Sequence, residues 1–160
     1  MRKNNAFAIF LIFILSLCLV SCGGGEKKAD VEIEVDIEEL ASNVVGLSVY
    51  ADADMVKLND DNIEMRYDFG GQYDDIVAYA SATSASDEII IICAKDRAGA
   101  DALIKSVDEY RKERIELYAS YAMEQTPKLE GAYLEVIGRY VIFAAADDIS
   151  GIEEIVSKLK

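Results

Sequence analysis

The chain has 160 residues, enough for one domain and a short extension. Its 30 acidic and 16 basic residues leave a net charge of −14, which argues against a nucleic-acid partner because phosphate binding needs a basic face. It has no histidine, which removes Ser-His-Asp and Cys-His catalysis and His-ligated zinc, and its 52% apolar content removes a disordered acidic tail.

The first element is N-terminal. Arg2 and Lys3 form a positive head, and from Ala6 to Val20 the sole polar residue is Ser16. That run is 15 residues, whereas a membrane-spanning helix needs about 20. A basic head followed by a short apolar run describes a secretory signal peptide. Leu19-Val20-Ser21-Cys22 resembles the bacterial lipobox, and Gly23, Gly24 and Gly25 follow it. In proteins with this motif the cysteine sulfur receives a diacylglycerol, and the chain is cut just before that cysteine, here between Ser21 and Cys22. A plain anchor or an uncleaved signal is the alternative, and it leaves the lipobox position and the glycines unexplained.

The expected layout is a lipoprotein signal peptide over 1–21, a lipidated Cys22 with a glycine-rich tether over 22–30, and an extracytoplasmic domain over 31–160. Two acyl chains such as palmitate make a stable anchor, since each buried CH₂ contributes ~0.8 kcal/mol. Loss of Arg2 and Lys3 leaves 14 basic against 30 acidic residues, so anionic headgroups repel the domain. The cysteines fit this layout. Cys18 leaves with the signal and Cys22 is acylated, so Cys93 has no partner for an internal disulfide. Cys93 ends the run Ile89 to Ile92 and reads as a buried small hydrophobe, because nothing basic adjoins it to stabilise a thiolate.

Val31, Ile33, Val35 and Ile37 alternate with acidic residues, as a short strand or an extended lead-in would. Asp36 reads as a helix N-cap, with Glu38 and Glu39 in the first turn and Gly46 as the stop. A second short helix or turn covers roughly Asp60 to Tyr67, ended by Gly70-Gly71. Ile76 to Thr83 alternates, and Asp87 to Lys95 carries a continuous apolar run suited to a central strand buried on both faces. The two read as an antiparallel hairpin.

Asp96 opens a long helix over about Arg97 to Met123. Leu103, Val107, Tyr110, Leu117 and Tyr121 form its apolar stripe. Arg114 falls on that stripe. It is either a side chain snorkelling at the helix edge, the preferred reading, or a buried cation waiting for a carboxylate. Pro127 ends the region. Tyr133 to Ile137 and Tyr140 to Ala146 flank Gly138-Arg139, which suits a type II′ hairpin turn. Asp147-Asp148 then cap a final helix over Ile149 to Leu159. The expected fold is α+β: one domain with a four-stranded antiparallel sheet in ββαββα order, helices on one face, preceded by one or two short helices.

Several segments together resemble a known family. They are the lipobox, Ser86-Asp87-Glu88-Ile89, Tyr118-Ala119-Ser120-Tyr121, Glu124 to Leu129, and Gly138-Arg139-Tyr140-Val141. With these, Ile76 to Lys160 resembles the bacterial lipoprotein family called domain of unknown function 4358, typical of Gram-positive anaerobes of the clostridial kind. The resemblance implies an extracytoplasmic lipoprotein. It implies no activity and no catalytic residues.

The acidic pairs Glu38-Glu39, Asp60-Asp61, Asp74-Asp75, Asp147-Asp148 and Glu153-Glu154 raise calcium or carboxylate acid/base chemistry. No segment supplies an EF-hand loop, and Asp52-Ala53-Asp54 is its closest fragment. Caps, turns and solvated faces account for such pairs more simply. The nine tyrosines could stack on sugars, but Tyr110, Tyr118 and Tyr121 have helical spacing, which suits a core edge. The reading is therefore a lipid-anchored, non-enzymatic module on the outer face of the cell membrane, with no metal and no cofactor. Its partner is an envelope protein or a small ligand. The alternatives are a metal-dependent hydrolase using carboxylates, and a small-ligand sensor built on the sheet face away from the helices.

Overall fold

A computed structural model describes residues 33–71 and 73–160. Ser21, Cys22, the signal peptide and the tether lie outside the described residues. Among the described residues, no helix is long and apolar enough to cross a membrane.

Residues 33–36 lead into helix α1 (Ile37–Val45). Asp36 caps it, with Oδ1 accepting from the Glu38 and Glu39 amides at 3.0 Å, and Gly46 closes it. A 3₁₀ turn (Ser48–Tyr50) leads to strand β1 (Met55–Lys57). Helix α2 (Asp60–Arg66) is capped by Asn59, whose side chain accepts from the Asn62 amide at 2.9 Å. Strands β2 (Tyr73–Ser81) and β3 (Glu88–Ala94) form the expected antiparallel hairpin. Helix α3 (Arg97–Tyr121) is capped by Asp96 on the Gly99 amide at 2.7 Å. A 3₁₀ turn (Met123–Gln125) and helix α4 (Thr126–Glu130) follow. Strands β4 (Tyr133–Ile137) and β5 (Tyr140–Ala145) make the second hairpin, and helix α5 (Ser150–Ser157) closes the chain. Gly138 has φ +57° and Arg139 is not left-handed, the pattern expected for glycine first in a type II′ turn.

The described residues form one α+β domain, but two features of its sheet differ from expectation. The antiparallel sheet has five strands in the order β1-β2-β3-β5-β4, not four. The added strand, β1, pairs with the end of β2 over three residues, too short a stretch to show a period in sequence. The helices also cover both faces, not one. Side-chain alternation along β3 shows why. Ile89, Ile91 and Cys93 join Tyr140, Ile142 and Ala144 of β5 in a core with Leu40 and Val44 of α1 and Ile152 and Val156 of α5. Ile90, Ile92 and Ala94 join Val141, Phe143 and Ala145 in a second core with Ile63 of α2, Leu103 and Val107 of α3, and Leu129 of α4. All seven residues of β3 and all six of β5 are buried, so each side of the sheet needs a cover. Cys93 is buried in the first core, as expected. Among the described residues, neither face of the sheet is free of helices.

Two smaller corrections concern the long helix. It ends at Tyr121, where Ala122 leaves helical geometry (φ −150°, ψ 62°). Pro127, expected to end this region, sits instead in the first turn of α4, where its missing N–H leaves no helical bond unmade.

Candidate functional site

Three consecutive buried polar residues, Ser86, Asp87 and Glu88, stand where the β2–β3 loop enters the sheet. Each is held by a different part of the chain. The Ser86 amide donates to Gln125 Oε1 at 3.1 Å, and its hydroxyl donates to the Gln125 carbonyl at 2.9 Å. Asp87 Oδ2 accepts from Lys128 Nζ at 2.8 Å, and the same ammonium reaches Asp147 at 3.1 Å. One residue earlier, the Ala85 carbonyl accepts from the Tyr118 hydroxyl at 2.9 Å.

Glu88, 1% exposed, is the most enclosed of the three. Its Oε1 accepts from Arg66 Nε at 2.8 Å, the Tyr67 hydroxyl at 2.7 Å and the Tyr110 hydroxyl at 2.8 Å. Oε2 accepts from Tyr110 at 3.0 Å. A buried carboxylate is stable only when paired and hydrogen-bonded, and here both conditions are met. The tyrosine rings pack on one another as well. Tyr67 stacks on Phe69 at 5.3 Å and meets Tyr110 edge-on at 5.2 Å. Burial, with the Glu88 charge second, pushes the pKa values of Tyr67 and Tyr110 up, so both hydroxyls stay protonated as donors. Burial works against the Lys128 charge, but the hydrogen bonds to Asp87 and Asp147 outweigh it and hold its pKa above 10.5.

Arg114 fits neither sequence reading. It is half-buried, and its Nη2 donates to the Tyr118 hydroxyl at 3.2 Å. The guanidinium lies 4.9 Å from the Tyr118 ring centre and 6.0 Å from that of Tyr110. It is stacked between two tyrosines rather than snorkelling or meeting a carboxylate. The α3 stripe shifts with it. Leu103, Val107 and Tyr118 are buried, whereas Leu117 and Tyr121 are 48% and 57% exposed. Met123, in the 3₁₀ turn that follows α3, is 69% exposed.

The acidic pairs are scattered over the molecule. Glu38 pairs with Lys57, Asp74 with Arg139, and Glu154 with Lys158. Asp60 and Asp61 lie in the first turn of α2, and Asp148 accepts from the Ser150 amide at 2.9 Å. Among the described residues, no three carboxylates or cysteines gather in a way that could hold a metal ion. A groove of about 550 Å³ runs between Leu40 of α1 and Ile155 and Leu159, rimmed by Glu34, Asp36 and Glu39.

Three of the segments behind the family resemblance thus meet in space. Tyr118, Gln125 and Lys128 close on Ala85 to Asp87, while Arg139 of the Gly138 to Val141 segment reaches the Ala94 carbonyl at the far end of β3. Sequence reasoning missed Arg66, Tyr67 and Glu88 as partners. Their one signal was an acidic residue at the head of an apolar strand. No curated protein and no solved structure matches the chain. Residues 48–146 match the family described as domain of unknown function (DUF4358). The match therefore starts well before Ile76, takes in β1 and α2, and stops short of α5. The chain belongs to the DUF4358 family.

Proposed function

We propose that this protein is a lipid-anchored, extracytoplasmic domain that binds a protein partner in the cell envelope and catalyses no reaction. The observation that carries the binding role is the exposure of Leu117 and Tyr121 near the end of α3, with Met123 exposed in the turn that follows. Leu117 and Tyr121 are four residues apart on one helix, so they share a face. Exposed tyrosine, methionine and leucine beside a half-buried arginine have the composition of a protein-binding surface. The polar cluster supports a structural role for its acids, because Glu88 already accepts hydrogen bonds from Arg66, Tyr67 and Tyr110. The anchoring rests on the likeness of Leu19-Val20-Ser21-Cys22 to the bacterial lipobox, and a Gram-positive, clostridial-type source on the family resemblance alone.

One experiment separates the two halves of this reading. Cells express the full chain, its Cys22→Ala variant, and chains with a photo-crosslinking residue at Leu117, Tyr121 or, as control, Asp101. The full chain should carry a diacylglyceryl mass on Cys22 and stay with the membrane, and Cys22→Ala should lose both. Positions 117 and 121 should capture one discrete envelope protein that position 101 does not. An unmodified chain in the soluble cytoplasm sinks the anchor. Equal labelling at all three positions sinks the docking face.

A further inference from the structure

The sheet ends in two edge strands, and they are unlike. β1 is three residues long, which blunts its side. β4 runs over Tyr133–Ile137 with no proline and no lysine. The pairing of β5 fixes which way the β4 backbone faces. The Ala94 amide donates to the Arg139 carbonyl at 2.9 Å, so the backbone of Arg139 faces β3 and that of Tyr140 faces β4. By alternation Tyr140, Ile142 and Ala144 bond Ile137, Glu135 and Tyr133. The N–H and C=O groups of Leu134 and Val136 point the other way, where no strand lies among the described residues. A groove of about 420 Å³ opens beside Leu134, lined also by Ile104, Lys105 and Lys112 of α3.

We propose that the free edge of β4 pairs with an extended segment of another protein, one that sets a basic residue opposite Glu135 and an apolar residue on either side of it. The outward backbone groups of Leu134 and Val136 supply the ladder, and the side chains supply the choice of sequence. Leu134 and Val136 pack against the α2/α3/α4 core. Residues opposite them share that face, and the groove beside Ile104 suits an apolar side chain. Glu135 faces the other side, with Tyr133 and the α1/α5 core. Its backbone bonds β5, so the residue opposite it on an added strand sits in a non-hydrogen-bonded pair, in which side chains lie closest. An opposite charge is favoured there and a like charge disfavoured. Lys160 and Tyr133 already bond the carboxylate, which accepts up to about four hydrogen bonds and so has room for a second cation. The same residue opposes self-pairing. Two copies aligned about Glu135 would bring two carboxylates together, and each copy carries a net charge of −14.

The test follows amide hydrogen exchange by NMR in the full chain, isotope-labelled and held in uncharged detergent. The probes are two synthetic peptides, Val-Lys-Val-Lys-Val and Val-Glu-Val-Glu-Val. At about ten times its Kd, the lysine peptide should slow exchange at Leu134 and Val136 about tenfold. Ile137, already bonded to Tyr140, should change little. The glutamate peptide should have no effect. Glu135→Lys should reverse the preference, and the gentler Glu135→Gln should abolish it. Leu117→Ser should leave it intact, because the edge does not include that residue. No slowing by the lysine peptide, or equal slowing by both peptides, overturns the proposal. Protection of both amides that grows with protein concentration before any peptide is added also overturns it, because the edge then pairs with a second copy.

Discussion

Lys128 ties Asp87 to Asp147 across the loops at one end of the sheet, and its side chain is 13% exposed. Lys128→Met leaves the buried Asp87 carboxylate without a cation. That should cost about 3–5 kcal/mol in urea unfolding, and Asp87→Asn in the same chain should recover part of the loss. A loss below about 1 kcal/mol would show that the pair behaves as a surface ion pair. The buried tyrosines make a second residue-scale prediction. Burial raises the pKa values of Tyr50, Tyr67 and Tyr110, and pushes Tyr118 up to about 12, against an ordinary 10.0. Above pH 10.0 the unfolded chain releases these protons while the folded chain keeps them, so stability falls as pH rises from there. The Lys128 charge adds stability that is likewise lost at high pH. Tyrosinate absorbance should lag at first and then rise together with the loss of helical circular dichroism. A smooth titration with no structural change would refute this. Of these residues, the caps Asp36 and Asp96 were legible in sequence because their partners lie within three positions. Glu88 was not, because Arg66 and Tyr110 each lie 22 residues away.

Helix α3 shows what an element can and cannot announce. Its 25 residues span about 37 Å, whereas the seven residues of β3 span about 23 Å. The first half of the helix buries Ala100, Leu103 and Val107 on the sheet. Its last turns leave Leu117 and Tyr121 in solvent, although the apolar spacing continues. Leu103→Ala should cost about 2–5 kcal/mol as a core truncation. Leu117→Ser should change stability by no more than about 0.5 kcal/mol and still abolish crosslinking to the partner. A large stability loss at Leu117 would show that Leu117 is part of the core. Periodicity locates an apolar face, but what packs on the last turns decides which residues are covered: Tyr118 is buried and bonds the Ala85 carbonyl, while Leu117 beside it is exposed.

The charge of the whole molecule frames its response to acid. At −14 the chain is held together against its own repulsion, and local pairs carry part of that task. Lys112 and Arg111 hold the Asp108 pKa below 3.8, Lys160 and Tyr133 hold the Glu135 pKa below 4.5, and the Ser150 amide lowers that of Asp148. Each lowered carboxyl contributes stability that is present above its unfolded value and lost as pH falls through its folded value. Stability should therefore decline below about pH 4, more gently in high salt, where exposed pairs are already screened. A urea midpoint that is flat from pH 5 to 2 would contradict this.

The sequence by itself determined the two hairpins, the long helix and the first and last helices, though neither β1 nor α4. Capping side chains, apolar runs and the Gly138 turn act within a few residues, so they are written in local order. It also carried the family, through segments whose side chains prove to be neighbours. The tertiary structure decided the fifth strand, the covering of both sheet faces and the enclosure of Glu88. Those outcomes depend on which surfaces remain to be buried once the hairpins have paired. Burial is a property of the assembled layers, and no short stretch of sequence contains it.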